Sequence, residues 1–142
     1  MKTSARNQFW GKIGTVTRGA VNAEVTLNLG DGETIVASIT NGSVDALALA
    51  PGKEACALIK ASLVLIVAGD SLPKTSARNT LKGKVSAVKE GAVNGEVSIA
   101  LKGGRIVTAT VTNESIRALG VKVGGPAAAL VKASSVILAV QD

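Results

Sequence analysis

Two short strings, Thr3-Ser4-Ala5-Arg6-Asn7 and Lys60-Ala61-Ser62, recur 72 residues later as Thr75-Ser76-Ala77-Arg78-Asn79 and Lys132-Ala133-Ser134. Asn22, Thr40, Asn41 and Ser43 recur in the same way, as Asn94, Thr112, Asn113 and Ser115. Nearly all of these side chains donate hydrogen bonds, and carboxylates are almost missing from the set. A ring of donors suits a ligand that only accepts, whereas a metal cation needs electron-pair donors. The chemistry this spells is oxyanion binding. A tetrahedral dianion such as molybdate, tungstate or sulfate carries no proton at neutral pH, so a site made wholly of donors lacks nothing. Monohydrogen phosphate would leave its own proton unpaired, and a buried unsatisfied group costs about 1–3 kcal/mol. Charge-assisted bonds from Arg6 and Lys60 supply most of the attraction, and Ser4, Thr40 and Ser43 set geometry and size.

Other chemistries find little support. The 142 residues include no histidine, which removes the commonest general base and the commonest transition-metal ligand together. No residue constellation fits catalysis, so no enzyme, no metal-cation site and no organic cofactor are expected. The single cysteine, Cys56, faces Ala128 in the aligned repeat and reads as a small buried hydrophobe. An apolar content of 46% fits a globular chain. No stretch is apolar enough to span a bilayer, and Met1 to Gln8 do not resemble a signal peptide, so a cytoplasmic protein with no membrane partner is expected.

The net charge of +6 raises the alternative of an OB-type single-stranded nucleic-acid binder. Only Phe9 and Trp10 are aromatic, so repeated stacking platforms for bases are missing and no nucleic-acid partner is expected. Residues 1–70 carry six basic and six acidic side chains, against ten and four in residues 71–142. The excess therefore lies at positions that the first repeat does not share, which fits a solvated surface better than a common cationic groove. Lys12 and Lys84 are read as part of that surface.

Sliding the chain by 72 residues aligns Lys2–Asp70 with Lys74–Asp142 without a gap, with roughly 30 of about 70 positions identical. The chain divides into a domain over 1–70 and another over 71–142, joined at the turn-rich "AGDSLPKT". The shared acids are only Glu24 with Glu96 and Asp70 with Asp142. "AEVTLNL", "TIVASIT" and their counterparts alternate as half-buried strands, with "GDG" and "KGG" as hairpin turns. One short helix follows, capped by Asn or Ser, with Val44 and Leu47, or Ile116 and Leu119, facing inward. Each copy closes on strands that are apolar on both faces, which calls for packing against another unit. The fold class is all-β: two tandem five-stranded barrels of the OB type, each with a short helix. Units of about 70 residues bury a marginal core, so oligomerisation is also expected.

The turn Gly19-Ala20-Val21-Asn22 and its repeat Gly91-Ala92-Val93-Asn94 read either as tight hairpins or as backbone nests for a second anion. Asn7 and Asn79 either line a pocket or fasten the start of a strand. "TSARN", "GAVNAEV", "TNGSV" and "LIKASLVLI", in this order and each present twice, resemble the molbindins, whose Mop domains bind molybdate. The resemblance covers essentially the whole chain, as a tandem (di-Mop) pair. It implies a non-enzymatic molybdate or tungstate store in the cytoplasm, built as a homotrimer with anions held between Mop domains. The sites it implies comprise Ser4, Ala5, Arg6, Thr40, Ser43, Lys60 and Ala61, and Ser76, Ala77, Arg78, Thr112, Ser115, Lys132 and Ala133. A second class of site near the trimer axis would use Gly19, Ala20, Val21 and Asn22 with Gly91, Ala92, Val93 and Asn94.

Overall fold

Alternation of apolar and polar residues becomes alternation of buried and exposed faces. The computed structural model describes residues 1–141; Asp142, the counterpart of Asp70, lies outside the described residues. The first copy forms β1 (Asn7–Arg18), β2 (Asn22–Gly30), β3 (Glu33–Thr40), α1 (Asn41–Ala46), β4 (Glu54–Ile59) and β5 (Leu65–Ala68). The second repeats the plan as β6 (Asn79–Glu90), β7 (Asn94–Leu101), β8 (Ile106–Thr112), α2 (Asn113–Leu119), β9 (Pro126–Val131) and β10 (Ile137–Ala139). A single 3-10 turn, Ala61–Leu63 or Ala133–Ser135, precedes each last strand.

Both sheets have five antiparallel strands, and each contains one strand from the other copy. The first runs β10-β4-β1-β2-β3 and the second β5-β9-β6-β7-β8. Leu65 to Ala68 thus pair with Leu130 to Ala127, while Ile137 to Ala139 pair with Leu58 to Cys56. The receiving strands explain the exchange. Ala55, Cys56 and Ala57 in β4, and Ala127, Ala128 and Ala129 in β9, are buried on both faces, so neither strand can serve as a solvated edge. The second half of the same chain therefore supplies part of the packing that the doubly apolar strands require, while Leu65 and Ile137 stay exposed.

One continuous core results. Val25, Leu27, Ile35 and Ile59 join Val97, Ile99, Val107 and Val131 in a single buried cluster. Cys56 is fully buried beside alanines, and burial pushes its thiol above its ordinary pKa, as expected of a small hydrophobe. The shared glycines of "WGKI" and "KGKV" have a steric cause. A Cβ on Gly11 would lie 2.3 Å from the Asn28 carbonyl oxygen, and one on Gly83 2.1 Å from that of Ala100. Only glycine lets the neighbouring strand come that close.

Two details differ from the sequence reading. Thr40 and Thr112, rather than an Asn or Ser, cap the helices: each hydroxyl accepts from the backbone N–H three residues on, at 3.0 and 3.1 Å. Asn41 and Asn113 are used elsewhere, because their amides donate to the carbonyls of Gly19 and Gly91. Val44 and Ile116 do face the core, but Leu119 is 41% exposed at the last position of α2, just before Gly120 turns left-handed at φ 64°.

Drift between the copies is compensated in place. Arg18 bonds to Asp45 at 2.6 Å, and their counterparts Glu90 and Arg117 meet at 3.0 Å with the charges reversed. Both pairs brace the end of a long strand against its helix, and either polarity serves.

Candidate functional site

The site residues are positioned by the beginning of β1 and β6. Asn7 pairs with Ile59, so Arg6 and Lys60 leave the sheet together at one strand end, with Ser4 and Ala5 just before and Ala61 just after. Asn79 pairs with Val131, which does the same for Arg78 and Lys132, flanked by Ser76, Ala77 and Ala133. Thr3 and Thr75 shape the approach, accepting hydrogen bonds from the N–H groups of Ala5 and Ala77 at 3.1 and 3.2 Å.

The asparagines hold the copies together. Asn7 is buried; its side-chain oxygen accepts from the Thr108 N–H at 2.8 Å, and its amide donates to the Thr108 carbonyl at 2.9 Å. Asn79 repeats this against Val36, at 2.7 and 2.8 Å. Each side chain therefore acts as one more peptide group, fastening a strand start of one copy to β8 or β3 of the other. Of the two roles open from the sequence, these hydrogen bonds show the fastening one.

This cross-bracing decides which site residues meet. Arg6 of the first copy lies in a cleft with Lys89, Gly91, Asn94, Glu96 and Thr110 of the second, and Asn94 is the strand partner of Thr112. The 3-10 turn after Lys60 packs on β8. A different cleft, of about 280 Å³, joins Ser38, Thr40 and Ser43 of the first copy to Ser134 of the second. Candidate donors of both copies therefore meet at these boundaries, Arg6 beside Asn94 and Thr110, and Ser134 beside Thr40 and Ser43, whereas Lys60, Arg78 and Lys132 line neither of the two clefts. Within each cap the two hydroxyls touch, at 2.9 Å for Thr40 with Ser43 and 2.8 Å for Thr112 with Ser115.

The arginines themselves are engaged across the same boundary. Arg78 grips Glu24 with both terminal nitrogens, at 2.7 and 2.9 Å, and Arg6 is paired with Glu96. Donation from Arg78 holds the Glu24 carboxyl below its usual range and raises the guanidinium above its own. A depressed carboxyl pKa stabilises the fold above the unfolded value of about 4.3 and loses that contribution as pH falls through the folded value. Melting temperatures of the wild type and Glu24→Gln should therefore differ at pH 7 and converge below about pH 4. A constant difference across that range would assign the effect to packing instead.

The clefts also contain residues that the sequence reading did not include in the site. Ser134, with its counterpart Ser62, recurs in both copies and was legible as such; Glu24 and Glu96 recur too, although a donor-only scheme gives them no place. Ser38, Lys89 and Thr110 carried no signal, because Ser38 and Thr110 differ in type and Lys89 aligns with Thr17. The two glycine turns are tight hairpins: the Gly19 N–H bonds to the Asn22 carbonyl at 2.7 Å, and that of Gly91 to the Asn94 carbonyl at 2.9 Å. Ala20, Val21, Ala92 and Val93 at their tips are exposed, Val21 and Val93 each to 72%. Among the described residues no group of three potential metal-ligating side chains occurs, and no helix is long and apolar enough to cross a membrane. Phe9 is buried, so only Trp10 remains as an aromatic near the surface.

Comparison with known proteins gives this architecture a family. The chain is 49% identical to the molybdenum transport protein ModE of Azotobacter vinelandii over 140 residues, which is 99% of this chain and 52% of that protein. It is 48% identical to the molybdenum-pterin-binding protein MopA of Rhodobacter capsulatus, covering 98% of this chain and 52% of MopA. The chain thus spans about half the length of these curated relatives. A solved structure of the cytoplasmic molybdate-binding protein ModG, with molybdate bound, superimposes with a TM-score of 0.95 at 48% identity, covering 99% of this chain and all of that one. The model of the TOBE domain matches twice, over residues 3–66 and 75–138. The chain belongs to the TOBE-domain family, as a tandem pair of Mop-like domains.

Proposed function

We propose that this protein binds molybdate, or its near-equal tungstate, as a non-enzymatic store that buffers the oxyanion in the cytoplasm. The observation that carries the reading is a pair of clefts, each lined by hydrogen-bond donors from both copies. In one, Arg6 of the first copy lies with Lys89 and Thr110 of the second; in the other, Thr40 and Ser43 of the first lie with Ser134 of the second, donors of the kind an unprotonated tetrahedral dianion requires. The likeness to ModG, a cytoplasmic protein seen with molybdate, along the entire chain supports the choice of anion and compartment.

A homotrimer is part of the same proposal. Val21 and Val93 at the turn tips, with Leu65 and Ile137 on the exchanged strands, are large exposed apolar side chains. Gathering the tips about an axis would cover Val21 and Val93, and would give the Gly19–Asn22 and Gly91–Asn94 turns an anion to share.

Titration calorimetry of the purified chain should show saturable uptake of molybdate, with phosphate weaker by tenfold or more. Sedimentation in the same buffer should give three times the chain mass. Flat molybdate isotherms would end the reading.

A further inference from the structure

The arginines that the proposed sites depend on are already gripped by carboxylates of the opposite copy. Arg78 and Glu24 form a two-pronged pair, and Arg6 and Glu96 form its counterpart. These are the shared acids of the two copies within the described strands, at positions where a purely anion-binding surface should avoid negative charge. A carboxylate presents two acceptor oxygens to the guanidinium fork much as one edge of a tetrahedral oxyanion does. All four side chains are about one-third to one-half exposed, so the pairs are open to exchange.

We propose that Glu24 and Glu96 are built-in competitors, carboxylates that occupy Arg78 and Arg6 until an oxyanion displaces them and so set the concentration at which each cleft fills. The inference rests on the oxyanion-binding reading above. A tethered competitor acts at an effective concentration in the millimolar range. The apparent affinity is then the intrinsic one reduced by the fraction of time the arginine is free. A dianion with additional partners in Lys60, Ser115 or their counterparts can displace a monoanionic carboxylate; chloride, with one charge and no fork geometry, gains far less. The carboxylates therefore keep the clefts from filling with the cell's abundant monovalent anions.

The two competitors are unequal. Glu96 lies directly across the strand pair from Lys89, which lines the same cleft as Arg6, whereas Glu24 lies across from the uncharged Thr17. Lys89 draws on the Glu96 carboxylate and adds positive charge to the cleft, so the Arg6 cleft should fill at lower anion concentration than the Arg78 cleft.

The test is titration of sodium molybdate into the wild type, Glu24→Gln and Glu96→Gln, with Glu24→Asp as a milder variant and a melting curve for each. Glutamine keeps the size and removes the charge. Each Gln variant should bind on the order of tenfold more tightly at one cleft only, despite melting no higher than the wild type, and Glu24→Asp should shift the same way by less. Lys89→Thr should bring the two clefts towards equal affinity. If the wild type binds and the Gln variants bind equally well or more weakly, the glutamates are plain structural clamps and this inference fails alone. If neither wild type nor variants bind molybdate, the oxyanion reading falls and takes the competitors with it.

Discussion

Asn7→Ala is expected to lower stability by about 3–5 kcal/mol. The substitution deletes three hydrogen bonds, to the Thr108 N–H and carbonyl and to the Ile59 carbonyl at 3.2 Å. It leaves those backbone groups buried at a boundary that water does not reach, each costing about 1–3 kcal/mol. For a domain pair of this size the melting temperature should fall by roughly 10 °C. Asn79→Ala should behave alike, through Val36 and Val131. Asn7→Asp should fare no better, since it keeps the acceptor, loses the donor and buries a charge. Thermal melts of the three variants are sufficient, and a loss under about 2 °C would show that water or a neighbouring group takes over the bonds.

The second large effect concerns which residues share an anion. On the proposed pairing of donors across the copies, Arg6→Ala combined with Ser115→Ala should abolish one cleft and leave the other at its original affinity. Arg6→Ala combined with Ser43→Ala should weaken both clefts by roughly 10- to 100-fold, the worth of charge-assisted bonds. If each cleft were built within one copy, the two outcomes would change places. Calorimetric stoichiometry with molybdate separates them: half the cleft sites retained in the first variant, none at full strength in the second.

That pairing marks the boundary of what the sequence displays. Strands and hairpins are legible because a half-buried strand must alternate, and the alternation of "AEVTLNL" becomes the burial pattern of β2. The buried cysteine and the need of the last strands for a second unit follow from composition in the same way. Strand exchange is not legible. "LIVA" carries no mark of which sheet receives it, and residues 65–68 make the same hydrogen bonds in either. The proposed pairing across copies is hidden for a related reason: with Arg, Lys, Thr and Ser present at matching places in both copies, pairing within a copy and pairing across copies produce one residue list. The roles of the two acids needed coordinates, because a carboxylate among donors has no evident purpose until it is seen bonded to the arginine.

The exchanged strands also bear on how such a chain came to vary. A lone copy would display β4 or β9 with a bare edge and carry a final strand with nowhere to lie, so it would have to trade strands with a second molecule, and its folding would depend on protein concentration. Joining the copies through the short stretch between Ala68 and Asn79 makes the partner permanent. Each half then needs to fit one particular neighbour rather than an identical twin. Under that arrangement a charge pair can reverse its sign, as Arg18 and Asp45 do in Glu90 and Arg117, one half can gather the net charge, and Lys89 can arise beside one carboxylate only. Covalent union releases the two copies from symmetry.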